Sequence, residues 1–227
     1  MMMNTFKNGI WVIDFEFHPI NSVKGNPPRP VCLVAHRWPD GPTYRYWQDE
    51  LDQMKEAPFP TDTDALCVAY YATAELDCFL SLKWPLPSNV LDLYVEFRNL
   101  TNGNYLPSGS GLIGAMQYFG LPTMESSEKT AMRDLVLSAG PWNEAERLSI
   151  LSYCESDVLA LAKLLDAMES HIDLPRALYR GRYMKAVSRM QEIGTPIDHP
   201  TFKELTKHWS DIHGKLIEEI DRDYQVF

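Results

Sequence analysis

The chain has 227 residues, 45% of them apolar, and a net charge of −10. That apolar content supports a packed core and excludes general disorder. The acidic balance excludes broad duplex binding through a basic face, though not a cleft in which acids hold divalent cations against phosphates. In chain order, residues 10–17 (IWVIDFEF) are β-branched or aromatic around two acids and read as a strand. The Pro- and Gly-rich stretch 18–30 (HPINSVKGNPPRP) is a loop. VCLVAHRW (31–38), a turn at PDGP and TYRYWQ (43–48) form a hairpin or meander. ALCVAYY (65–71) is a short strand running into TAELDCFLSL (73–82), where Leu76, Phe79 and Leu80 have helical spacing. NVLDLY (89–94) is a short strand entering a helix.

The remainder is helical: 111–120, closed by Gly120 and Pro122; 126–140, with a serine cap and a glycine stop; and 143–171, opened by a capping box of Asn143 with Glu146. In the last, Leu148, Leu151, Val158, Leu161, Leu165 and Met168 make a core-facing stripe. From about residue 173 the charges balance, nine acids against nine bases, whereas residues 1–172 hold 22 acids and 12 bases. This second stretch predicts a helix, a GTPID turn and a long helix, the start of another domain. Cys32, Cys67, Cys78 and Cys154 form no C-x-x-C pair, and the histidines lack zinc spacing. They predict buried reduced thiols in a cytoplasmic protein rather than a disulfide frame or a zinc site. No apolar run reaches a membrane-spanning ~18 residues, and the start MMMNTFKNG has no signal-peptide pattern.

The chemistry concentrates in a few acids. Asp14 and Glu16 are two apart on one strand, so they share a face, and two like charges side by side are costly unless a proton or a cation neutralises them. The plainer reading is a polar strand face meeting water. Asp77 falls in the first turns of the helix after the 65–71 strand, where the helix dipole alone would favour an acid. Asp92 and Glu96 lie nearby and compete with it. Tyr153 and Asp157 are four apart in the longest helix and share a face.

VIDFEF on a strand, TAELDCFL at a helix start and YCESDVLAL on a later helix together resemble the DEDD superfamily of 3′–5′ exonucleases, tyrosine subclass, across roughly residues 8–172. The segment RGRYMKAVSRMQEIGTPID and the helix after it resemble the linker and early thumb of family A DNA polymerases. The resemblance implies an α/β ribonuclease H-like (DnaQ-like) fold, a mixed sheet flanked by helices over 1–172, and a helical extension over 173–227. It implies hydrolysis of DNA from the 3′ end to nucleoside 5′-monophosphates, as proofreading for a polymerase domain in cis or in trans. It further implies two divalent cations, Mg²⁺ with Mn²⁺ as substitute, since hard ions take carboxylate oxygens. In that pattern Asp14 bridges both ions, Glu16 and Asp157 hold the ion that activates water, and Asp77 holds the other largely through water. Tyr153, with an ordinary pKa near 10, orients the attacking water. The family often has Asn four residues before its second-motif Asp; counted from Asp77 that place is Thr73.

For a single-stranded or frayed 3′ end, Phe17 and His18 are candidates to flank the terminal base, and Lys129 and Arg133, four apart, to meet phosphates. Each has a plain alternative, core for Phe17 and a solvated face for the two cations. Two other functions remain open: a catalytically silent DNA-binding or spacer module, and an RNA-trimming exonuclease, separated from a DNA enzyme by contact with the 2′-hydroxyl.

Overall fold

The computed structural model describes residues 5–18, 28–123, 126–138 and 140–226. Residues 19–27 of the expected 18–30 loop lie outside that set. Five strands, β1 (Gly9–His18), β2 (Arg29–Trp38), β3 (Thr43–Trp47), β4 (Ala65–Ala69) and β5 (Val90–Asp92), form one mixed sheet in the order β3-β2-β1-β4-β5. β1 pairs antiparallel with β2 and parallel with β4, and β4 pairs parallel with β5. The helices are α1 (Gln48–Leu51), α2 (Ala72–Ser81), α3 (Leu93–Leu100), α4 (Leu112–Tyr118), α5 (Ser126–Leu137), α6 (Glu144–Met168), α7 (Leu174–Ile193), α8 (His199–Lys207) and α9 (Trp209–Tyr224).

The period-2 alternation of β1 builds two cores. Ile10 and Val12 pack on one face with Cys154, Val158 and Leu161 of α6 and with α4. Trp11, Ile13 and Phe15 pack on the other with Leu76 and Phe79 of α2. Strand residues two apart share a face, so Asp14 and Glu16 continue the row of Ile10 and Val12, towards α6. The sheet and most helices follow the sequence expectation. α1, a single turn, was not expected. On α6 the stripe is turned from the one read in the sequence: Leu148 is exposed, while Ile150, Tyr153 and Cys154 are buried. The capping box forms, Asn143 Oδ1 accepting from Glu146 N at 3.0 Å and Glu146 Oε2 from Asn143 N at 2.8 Å. The serine cap of α5 involves side chains outside the described residues. All four cysteines are free and buried.

The compact unit containing the sheet runs to Ile193, whereas the sequence reading drew its line after residue 172. α7 crosses the β5 edge, a row of backbone groups that would otherwise stay unpaired. It can come so close because residue 181 is glycine: a Cβ there would stand 1.9 Å from Val90 O. Lys185 Nζ donates to Pro87 O (2.9 Å) and Ser88 O (2.8 Å), and Arg180 makes a two-pronged pair with buried Glu96 at 2.7 and 2.6 Å. Gly194–Phe227 forms a second unit of α8 and α9, neither of which buries a residue. Among the described residues no helix is long and apolar enough to cross a membrane.

Candidate active site

Asp14 and Glu16 from β1 and Asp157 from α6 meet, each offering a carboxylate oxygen within 4.8 Å of the others. The strand row described above aims two of them at α6, and helical spacing puts Tyr153 and Asp157 on the α6 face that receives them. After Glu16 the β1–β2 register shifts by one residue, Val31 of β2 being skipped before pairing resumes at Phe17 and Pro30, the kind of irregularity that re-aims side chains. Tyr153 is buried and hydrogen-bonds the Asp157 carboxylate; burial, then Asp157, Glu16 and Asp14, hold its phenol far above the ordinary value. Its hydroxyl therefore keeps its proton. Cys154, next along α6, donates its thiol towards Asp14 O at 3.3 Å, with Asp14 Oδ2 at 3.5 Å.

A fourth acid enters from the opposite layer. β4 ends at Ala69, so the Phe15 N–H has no strand partner on that side; Glu75 Oε2 of α2 accepts it at 2.7 Å. Glu75 is 4% exposed. Burial pushes its carboxyl well above the usual carboxylate range, Asp14, Glu16 and Asp92 add to the rise, and the Phe15 hydrogen bond opposes it. Glu75 is thus coupled through charge to Asp14 and Glu16, although the group within 4.8 Å consists of Asp14, Glu16 and Asp157. The sequence reading places Asp77, on the same helix, in the site. Asp77 faces α7: burial raises its pKa to about 6, Ser188 lowers it and Glu192 raises it. Its Oδ1 is buried with no hydrogen-bond partner among the described residues. Helix phase was the signal available. Residue 75 shares the face of core residues Ala72 and Phe79, three before and four after it, and residue 77 does not.

The rival acids have structural work. Asp92 caps α3 and accepts from the N–H groups of Tyr71, Ala72, Tyr94 and Val95; Glu96 holds Arg180. Of the substrate candidates, Phe17 is half-buried against the α2-side core. His18 Nε2 lies 3.0 Å from Leu137 O at the end of α5. Thr73 is buried, and its carbonyl accepts from Ser188 Oγ at 3.3 Å, so it offers no surface to a strand. Arg133 is exposed on α5; the side chain of Lys129 lies outside the described residues.

An all-oxygen donor set this tight fits a hard divalent cation such as Mg²⁺, since three acids offer oxygens within 4.8 Å of one another. No protein-family model matches the chain, and no curated protein matches it by sequence. Solved structures do match. Brucella melitensis NrnC with bound Mg²⁺ superposes with a TM-score of 0.58 at 17% identity, over 86% of this chain and 92% of that one. Trypanosoma brucei RNase D in complex with RNA U12 gives 0.57 at 15%, over 86% and 68%. Escherichia coli RNase D, an exoribonuclease involved in structured RNA processing, gives 0.52 at 18%, over 92% of this chain and 51% of that one. These likenesses establish for this chain the ribonuclease H-like fold that RNase D and NrnC share.

Proposed function

We propose that the chain is a metal-dependent 3′–5′ exonuclease acting on single-stranded nucleic acid, with RNA favoured over DNA. One observation carries the reading: three carboxylates from two distant segments converge within 4.8 Å on the fold of known exonucleases, with a tyrosine on the same helix face. In this reading Asp14, Glu16, Glu75 and Asp157 hold two divalent cations, Mg²⁺ or Mn²⁺. Bound there, the cations supply an acidified water and charge relief on the leaving 3′ oxygen. The chain's own residues do the rest. Tyr153, kept protonated, donates to Asp157 and orients the attacking water with its hydroxyl oxygen. Cys154 steadies Asp14 from behind, and the Phe15 N–H fixes the Glu75 carboxylate.

RNA is favoured because two of the three matching structures are named for ribonuclease D, one of them holding RNA. Proofreading of DNA beside a polymerase domain, in cis or in trans, rests on the resemblance of the 173–227 stretch alone. With Glu75 as the second-motif acid, the place four residues before it is Tyr71, not Thr73.

The test uses 5′-labelled single-stranded RNA and DNA of one sequence, with Mg²⁺, Mn²⁺ or EDTA, beside Asp14→Ala. The expected result is a metal-dependent ladder shortening from the 3′ end, faster on RNA and absent in the variant. Intact strands in every lane with folded, metal-bound protein would replace the nuclease by a silent binding module. Equal or faster loss of DNA would return the polymerase reading.

A further inference from the structure

We propose that Tyr71, Tyr94 and Arg98 form a subsite that stacks one base of an unpaired strand and meets its phosphate. The inference rests on the nuclease reading and names the feature by which that site holds its substrate. Tyr71 is the residue before α2, one turn ahead of Glu75, and its backbone is left-handed, φ 68° and ψ 57°. A bulky side chain pays for that conformation. Glycine or asparagine would make the same turn at lower cost, and the ring returns little to the core, being 51% exposed. What the ring does have is a built support. Asp92 fixes the backbones on both sides of the ledge: Oδ1 accepts from Tyr71 N and Tyr94 N, each at 3.0 Å, and Oδ2 from Ala72 N at 2.9 Å. Tyr94 stands edge-on to Tyr71, centroids 5.3 Å apart, and Tyr70 edge-on to Tyr94 at 5.7 Å. Tyr70 is itself tied down by donating to Ser110 O at 2.5 Å.

The place suits a strand. Tyr71 follows β4, which neighbours β1, and Tyr94 follows β5, the next strand out. With strands ~4.8 Å apart, the ledge begins one strand from the Asp14 row, at the same end of the sheet. Arg98 is one turn beyond Tyr94 on α3, exposed, with a long 3.4 Å hydrogen bond to Ser110 Oγ. Aromatic faces beside a cation are how proteins hold single strands without reading sequence.

The test uses a pentaribonucleotide carrying 2-aminopurine next to its 3′ end, bound with Ca²⁺ in place of Mg²⁺, together with kcat and KM on the unmodified strand. The wild-type chain quenches the fluorescence. Tyr71→Ala loses the quenching and raises KM about tenfold while kcat moves far less, and Tyr71→Phe restores both. Tyr71→Gly shares the KM defect yet melts no lower than the wild type, since it relieves the backbone, which separates the ring's contact from a folding role. Arg98→Gln raises KM and flattens its salt dependence. Wild-type quenching and KM in both the Ala and Gly variants would overturn the subsite. A wild-type chain that quenches but cleaves nothing in Mg²⁺ would overturn the nuclease reading instead.

Discussion

Glu75 and Asp77 lie two residues apart on one helix, Glu75 turned to β1 and Asp77 to α7, so substitution separates their roles. With Glu75 as the proposed fourth metal ligand, Glu75→Gln is expected to abolish hydrolysis and most of the rise in melting temperature expected of the wild type in Mg²⁺. At a hundred times the dissociation constant that rise reflects ~2.7 kcal/mol. Asp77→Asn keeps both. Its effect lies in pH. The folded pKa of about 6 stands above the ordinary 3.8, so the folded state holds this proton more tightly than the unfolded chain. The stability it contributes is full below about pH 4 and lost as pH rises through 6. Asp77→Asn is therefore expected to melt higher than wild type at pH 7.5, by ~1 kcal/mol once solvent screening of a half-buried group is discounted, and no higher at pH 4. Melting scans at the two pH values decide it; a loss of hydrolysis in Asp77→Asn would assign the metal role to Asp77 in place of Glu75. For Tyr153 the buried phenol predicts a rate without a tyrosine ionisation below pH 9. Tyr153→Phe is expected to lower kcat about a hundredfold with the metal-induced melting shift intact.

α7 shows what the elements add. It covers the β5 edge and braces α2, the helix that presents Glu75, so its seat bears on the site although no expected site residue lies in it. The seat depends on Arg180, whose guanidinium answers a carboxylate that is 4% exposed. Arg180→Ala strands that charge and is expected to cost about 3 kcal/mol, read by urea unfolding. Adding Glu96→Leu should return most of the loss; no recovery would mean that α7 is held by packing alone. Gly181→Ala should destabilise as well, since only backbone movement frees space at Val90 O. The sequence disclosed the strands, α2 and α6 through their periods, and Asp14, Glu16, Tyr153 and Asp157 through spacing within single elements. It did not disclose α7's place, because ion pairs such as Arg180–Glu96 join residues 84 apart in sequence. It points to Asp77 by counting motif positions, whereas helix phase turns Glu75 towards β1 and Asp77 towards α7. Leu148 continues the apolar spacing of α6 yet is exposed, an apolar residue just off the face that the helix turns to the sheet.

Taken whole, the molecule carries −10 yet is proposed to bind a polyanion. An acidic body repels phosphates, so the attraction must be local, from cations seated in the acid cluster and a few basic side chains such as Arg98. Two consequences follow for binding of a labelled single strand with Ca²⁺ as a non-cleaving ion. Chelation with EDTA should remove binding rather than merely weaken it, because without the cations the cluster itself repels the strand. The salt dependence should be shallow. Each neutralised phosphate contributes a slope of about −0.7 for single strands, so two phosphates predict only a ~7-fold loss between 50 and 200 mM salt. A loss of a hundredfold or more over that range would require a long basic track, and with it a substrate path other than the one past the Asp14–Glu16–Asp157 cluster.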